Sequence, residues 1–201
     1  MRNTVSILVT VILIGLLLAA ATPAFREAQL RENLARAHSD LSSLAAAVEA
    51  YRVDHSAYPG DGSQYCWGYP SAPYDYYWYL PNTLTTPVAY VSSNMIQDPF
   101  REELTGWSPA FKRYRYRYVD MTWGLAGTRT LPSSYYPFLK DWYGSWVLSA
   151  SGPDTLFGPY YPTDSYPGTS YPSLTLPYDP TNGLFSTGDI ERAQKIYPYL
   201  R

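Results

Sequence analysis

The chain has 201 residues, enough for one domain with an appendage and for a sizeable hydrophobic core. Its 15 Lys and Arg against 17 Asp and Glu give a formal charge of −2, which leaves no electrostatic footprint for nucleic acid. It carries 22 Tyr, 18 Pro and 6 Trp, but a single cysteine, Cys66, so no internal disulfide can form. The Tyr and Trp supply large apolar area with a polar tip, as suits half-buried surfaces such as a subunit contact or a glycan-facing one.

The first element is an uncharged apolar run from Val5 to Ala21, extending to Phe25. It just reaches the roughly 20 residues needed to cross hydrocarbon. A cleaved secretory signal fits poorly. The apolar part is long for one, and a helical pattern resumes directly after Ala19-Ala20-Ala21, the only small-residue cleavage candidate. Two readings remain: a plain membrane anchor, or an anchor that later becomes the core of a filament. A helix apolar all round must be buried in lipid or among other helices. Small residues such as Gly15, Ala19, Ala20 and Ala21 allow neighbouring helices to approach closely. The residues assigned to filament-core packing are Ile7, Val11, Ile14, Gly15, Leu18 and Ala21. Pro23 removes one backbone donor and crowds the preceding turn, so a kink or local melting is expected there.

From residue 26 the pattern becomes amphipathic. Leu30, Leu34, Ala37, Leu41, Leu44, Val48 and Tyr51 follow in steps of 4 and 3, a helical seam for packing on the protein's own head. Glu27–Arg31 and Glu32–Arg36 are i,i+4 pairs with the acid N-terminal, each contributing about 0.2–0.5 kcal/mol. The cluster Ser56 to Gly62 should stop the helix near His55. The expected organisation is therefore residues 1–25 as an apolar membrane or filament-core helix, 26–55 as an amphipathic helix continuing into the head, and 56–201 as a globular β-rich head.

Within the head, residues 63–87 read as a Tyr/Trp/Pro-rich loop with a short helical turn near Tyr76–Leu80. Tyr114–Asp120 alternates with period two and reads as a strand with a cationic outer face made by Arg113, Arg115 and Arg117. A loop is expected over Thr122–Pro137 and a second strand over Ser145–Ala150. Gly158–Asp179 reads as a long Pro/Tyr/Ser/Thr loop, functional or carrying O-linked sugars. A third strand is expected over Gly183–Ile190. The fold class is α+β: a long N-terminal α-helix packed by its second half on a small antiparallel sheet, with long Tyr/Pro-rich loops.

Signals for catalysis are poor. His38 and His55 lie on the long helix and read as solvated surface, and Glu102-Glu103 reads as a solvated turn. There is no Gly-x-Ser-x-Gly, His-Glu-x-x-His or phosphate-loop motif, and no Asn-x-Ser/Thr sequon. Near the C-terminus, Asp154, Asp179 and Asp189, with Ser151 and turn carbonyls, are hard oxygen donors of the kind calcium takes. Asp and Asn also build turns that need no metal.

Several of these stretches together resemble the type IV pilin-like proteins with a prepilin-type N-terminus, most closely the major pseudopilin of type II secretion. The run Gly15-Leu16-Leu17-Leu18-Ala19-Ala20-Ala21-Thr22-Pro23-Ala24-Phe25 is similar to that family's N-terminal pattern. The helix end Leu44 to Pro59, with Tyr51, Asp54, Tyr58 and Pro59, resembles its next signature. Leu84 to Tyr90 leading into Asp98-Pro99-Phe100 resembles the stretch before the first head strand. Leu148 to Asp154, and Tyr178 to Gly183 with Gly188-Asp189-Ile190, resemble its C-terminal signature. Val5 or Ser6 stands where the family carries a Glu.

The resemblance implies a non-enzymatic structural subunit that polymerises through its apolar helices and displays its heads, with no cofactor required. It also implies a membrane-inserted precursor, a prepilin peptidase and an inner-membrane assembly platform as partners, and homo-oligomerisation into an extracellular filament or a periplasmic pseudopilus. Related pseudopilins bind calcium in the C-terminal loop; Ser151, Asp154 and Asp189 fall on matching positions, with Asp179 a weaker candidate. The alternatives are the pseudopilus of a secretion system, or a membrane-tethered module whose Tyr/Trp surface holds glycans.

Overall fold

The computed structural model describes residues 2–61, 79–93, 96–107, 109–120, 135–157 and 177–195. Helix α1, Arg2–His55, is 54 residues long, about 80 Å at ~1.5 Å per residue. It stays helical through Pro23, so the expected melting does not occur. Proline's missing N–H costs that turn one bond, and the bonded turns on either side carry the helix past it. The helix ends where Ser56 adopts φ 54°, the left-handed conformation that turns a chain out of a helix.

The head is an antiparallel three-stranded sheet in the order β1-β2-β3: β1 is Arg115–Tyr118, β2 Trp146–Ala150 and β3 Ile190–Ala193. The register sets Tyr116 opposite Leu148 and Tyr118 opposite Trp146, while Ala150 faces Ile190. Side chains alternate across a strand. One face therefore carries Tyr114, Tyr116, Trp146, Leu148, Ala150 and Ile190, which share a core with Ala37, Leu41, Leu44 and Val48 of α1. The fold is α+β, with the second half of α1 lying on the sheet.

Three expectations need correction. The β1 arginines do not form a cationic outer face: Arg113 and Arg117 are 1% and 2% exposed. Guanidinium is weakly hydrated and stacks well on rings. Arg113 lies 5.0 Å from the Tyr79 ring centroid and Arg115 4.0 Å from that of Phe157, while Arg117 approaches Glu191 at 4.0 Å. The third strand begins at Ile190, where the expected one ended. Gly183–Phe185 is instead a 3₁₀ turn, with Gly183 at φ 51° and both Leu184 and Phe185 exposed. The end of the expected loop over Thr122–Pro137 is helical: α2 spans Tyr135–Tyr143. Pro137 sits in its first turn, where an absent N–H costs nothing, and Gly144 at φ 80° ends it. Leu139 and Tyr143, four residues apart, give α2 its buried stripe.

Candidate functional site

Two features of α1 define the candidate site: an apolar shaft whose described side chains are exposed, and a root clamped into the head. Among the described residues, one helix, α1, is long and apolar enough to cross a membrane, and its most apolar window is wholly unburied. Ile7, Val11 and Ile14 are 64%, 62% and 51% exposed, and Leu8, Val9, Ile12, Leu13, Leu16 and Leu17 are exposed with them. Ala21 is exposed, and a methyl group added at Gly15 would meet nothing within 4 Å. The side chain of Leu18 lies outside the described residues.

On the clamped half, Leu30, Ala37, Leu41, Leu44 and Val48 are buried, and Leu34 and Tyr51 are half-buried. Polar groups flank that seam. Arg36 grips Glu102 with both guanidinium nitrogens, at 2.9 and 2.6 Å. This bidentate fork draws Arg36 away from Glu32; its helical partner is Asp40, at 3.8 Å. Glu27 and Arg31 do pair. The pull of Glu102 raises the Arg36 pKa, so the solvated turn expected at Glu102-Glu103 is half engaged. Tyr114 donates to Asp40 at 2.9 Å and Tyr90 to Asp54 at 2.6 Å. Glu49 accepts from Trp146 Nε1 at 2.7 Å and from the Tyr58 hydroxyl at 3.1 Å. Desolvation, reinforced by that bond to Glu49, pushes the Tyr58 pKa up to about 12. His38 and His55 are both exposed; His55 stacks on Tyr51 at 4.2 Å.

Of the C-terminal acids, Asp154 and Asp179 accept bonds within turns, and Asp189 pairs with Pro177 in an isolated bridge. Asp179 accepts from the backbone and hydroxyl of Thr181, at 2.8 and 2.7 Å, and from the Asn182 amide at 3.2 Å. The Thr181 side-chain and backbone bonds hold its carboxyl below the usual range. Asp154 accepts from Leu156 N–H at 3.0 Å, and desolvation raises its carboxyl. Both are Asx-turns, which engage Oδ1 of Asp154 and both oxygens of Asp179. Ser151 and Asp189 are buried; the Asp189 carbonyl accepts from Tyr178 N–H at 2.8 Å. Among the described residues no three His, Cys, Asp or Glu side chains are grouped to hold a metal ion. Cys66 and residues 158–176, where sugars are expected, lie outside the described residues.

Two buried acids tie the head together and were not singled out by sequence. Asp98 is fully buried; Oδ2 accepts from Ser151 N–H at 2.7 Å and Oδ1 from Phe100 N–H at 3.0 Å. Burial raises its carboxyl despite those two bonds. Asp61, also fully buried, accepts from Tyr118 N–H at 2.9 Å and so ties the chain after α1 to β1. Asp98-Pro99 is a turn signal that could have marked the first; nothing local marks the second.

Where the shaft meets the head lies a groove of about 400 Å³ lined by Arg26, Leu30, Arg36, Phe100, Pro153 and Leu184, among others. Compared with family models, curated proteins and solved structures, the chain matches none, so the reading of this site rests on its own geometry.

Proposed function

We propose that this protein is the structural subunit of a type IV pilin-like filament. The embedded precursor leaves the membrane by packing its shaft against the shafts of other copies, and the heads are displayed outward. The observation that carries this reading is the shaft: a helix exposed all round and continuous with a helix that is firmly seated in the head. Removing its nine exposed large aliphatic side chains from water is worth roughly 14–27 kcal/mol per subunit, at ~1.5–3 kcal/mol for each side chain fully buried. A bundle of identical helices keeps the run as dry as lipid does. Head-to-tail contacts that do not close on themselves produce fibres. With Val5 and Ser6 where the family has its acid, register between subunits comes from shape and apolar packing along Ile7–Ala21.

Negative-stain microscopy of sheared cells, with antibody against the head, tests this. Long filaments decorated along their length are expected, and deleting residues 5–22 should abolish them. Short polymers that appear only during secretion would assign the chain to a pseudopilus instead. Head found only in membranes, with no polymer, would reduce the shaft to an anchor. Filaments that persist after the deletion would overturn the proposal.

A further inference from the structure

We propose that the Leu184–Phe185 turn of the head rests in the interfacial layer of a lipid membrane while the shaft is embedded. This builds on the membrane-inserted stage of the function proposed above. The uncharged stretch from Val5 to Phe25 is about 31 Å long at ~1.5 Å per residue, close to the ~30 Å of bilayer hydrocarbon. The hydrocarbon boundary therefore falls between Phe25 and Arg26, the first charge after the run.

Leu184 lines the groove that runs along α1 from Arg26 to Arg36, so it stands within the first three turns of α1 beyond that boundary. The groove begins roughly 2 Å out, within the headgroup layer, and ends about 16 Å out. At this level the head turns apolar side chains to solvent: Leu184 is 45% exposed and Phe185 89%. Leu156, 56% exposed, belongs to the adjoining turn, which is held against this one by the close approach of Gly152 to the Gly188 carbonyl.

The patch is presented on a bonded turn. Phe185 N–H donates to the Asn182 carbonyl, Ser186 N–H to the Gly183 carbonyl, and Ser186 Oγ accepts from Asp179 N–H. Two arguments favour lipid over a second copy as the occupant. The shaft tethers the patch beside the interface, so contact with the membrane needs no further association step. Arg26, in the same groove as Leu184, offers a guanidinium of the shape that pairs with phosphate headgroups.

The test uses the full chain in phosphatidylcholine vesicles containing phosphatidylglycerol, with Cys66→Ser and one spin-labelled cysteine at a time. Leu17→Cys reports on the shaft, Val53→Cys on water at the far end of α1, and Thr187→Cys on the turn while leaving Leu184 and Phe185 in place. The oxygen-to-nickel-chelate accessibility ratio at 187 should lie between those at 17 and 53. Adding Leu184→Ser and Phe185→Ser should shift it to the value at 53. A water-like label at 187 with a lipid-embedded label at 17 overturns the proposal but leaves insertion standing, and so does a ratio indifferent to the two serines. A water-like label at 17 removes the membrane-inserted stage and the proposal with it. Spin–spin broadening at 187 that disappears on dilution with unlabelled chain assigns the patch to a second copy and also overturns it.

Discussion

Replacing Asp98 tests whether one buried carboxylate joins the two halves of the head. Its oxygens accept the Ser151 and Phe100 amides, across 53 residues of chain in the first case and two in the second. Asp98→Ala strands both donors. Each buried unsatisfied group costs about 1–3 kcal/mol, and the relief of no longer burying an acid offsets part of the sum, so a loss of about 2–4 kcal/mol is expected. Asp98→Asn keeps one acceptor but turns its own NH₂ toward the other amide, for a loss of about 1–3 kcal/mol. Urea titration of the detergent-solubilised chain, followed by near-ultraviolet circular dichroism from the Tyr- and Trp-rich head, measures both. pH supplies a second handle. Burial places the folded-state pKa of Asp98 above its unfolded value, which is near ~3.9. Between those two values the folded chain holds the proton more often than the unfolded chain. Wild-type stability therefore gains from this group as pH falls through the folded pKa, and the gain is complete below the unfolded one. Asn has no such contribution, so the gap between wild type and Asp98→Asn should widen on acidification. An alanine variant within about 0.5 kcal/mol of wild type, below the loss expected for even one stranded donor, would refute the anchoring role. A gap that narrows on acidification would refute the assigned pKa direction.

Gly152→Ala should be severely destabilising, because φ is 72° and the new methyl would collide with the Gly188 carbonyl oxygen, a backbone atom. Gly106→Ala, at φ 79° in open space, should lose only about 1 kcal/mol, so equal melting temperatures for the two would contradict the close approach. Chelation with EDTA should leave the melting temperature of the head unchanged, since Asp179 and one oxygen of Asp154 accept hydrogen bonds within their own turns; a fall in midpoint restored by calcium would show that Ser151, Asp154 and Asp189 hold the ion.

The division of labour along α1 was legible because it is written in local periods. A run without charge and a seam in steps of 3 and 4 separate the half that stays off the head from the half that packs on it, and β1 and β2 lie within the segments that alternation and apolar content marked. What was not legible depends on partners distant in sequence. The Arg-Tyr alternation of β1 correctly separates two faces, yet nothing in it tells a solvated arginine from one stacked on Tyr79 or Phe157. β3 was placed too early because Leu184 and Phe185 supplied the apolar signal, whereas the strand itself is Ile190 followed by Glu191 and Arg192. Glu49 is locally one more charge on a helix, but its role depends on Trp146, 97 residues away. The same holds for Asp61, which meets β1 across 57 residues.

The polar contacts along the root of α1 also have a mechanical consequence. Arg36–Glu102, Asp40–Tyr114, Glu49–Trp146 and Asp54–Tyr90 are strung out along one helix, over roughly 27 Å at ~1.5 Å per residue. A pull along the shaft loads them together, in shear with the apolar seam beneath, and no end contact can open before the others. A pull across the shaft would peel them one by one. The head is thus fastened to bear tension along the helix axis, the direction in which a fibre built on these shafts would be stretched.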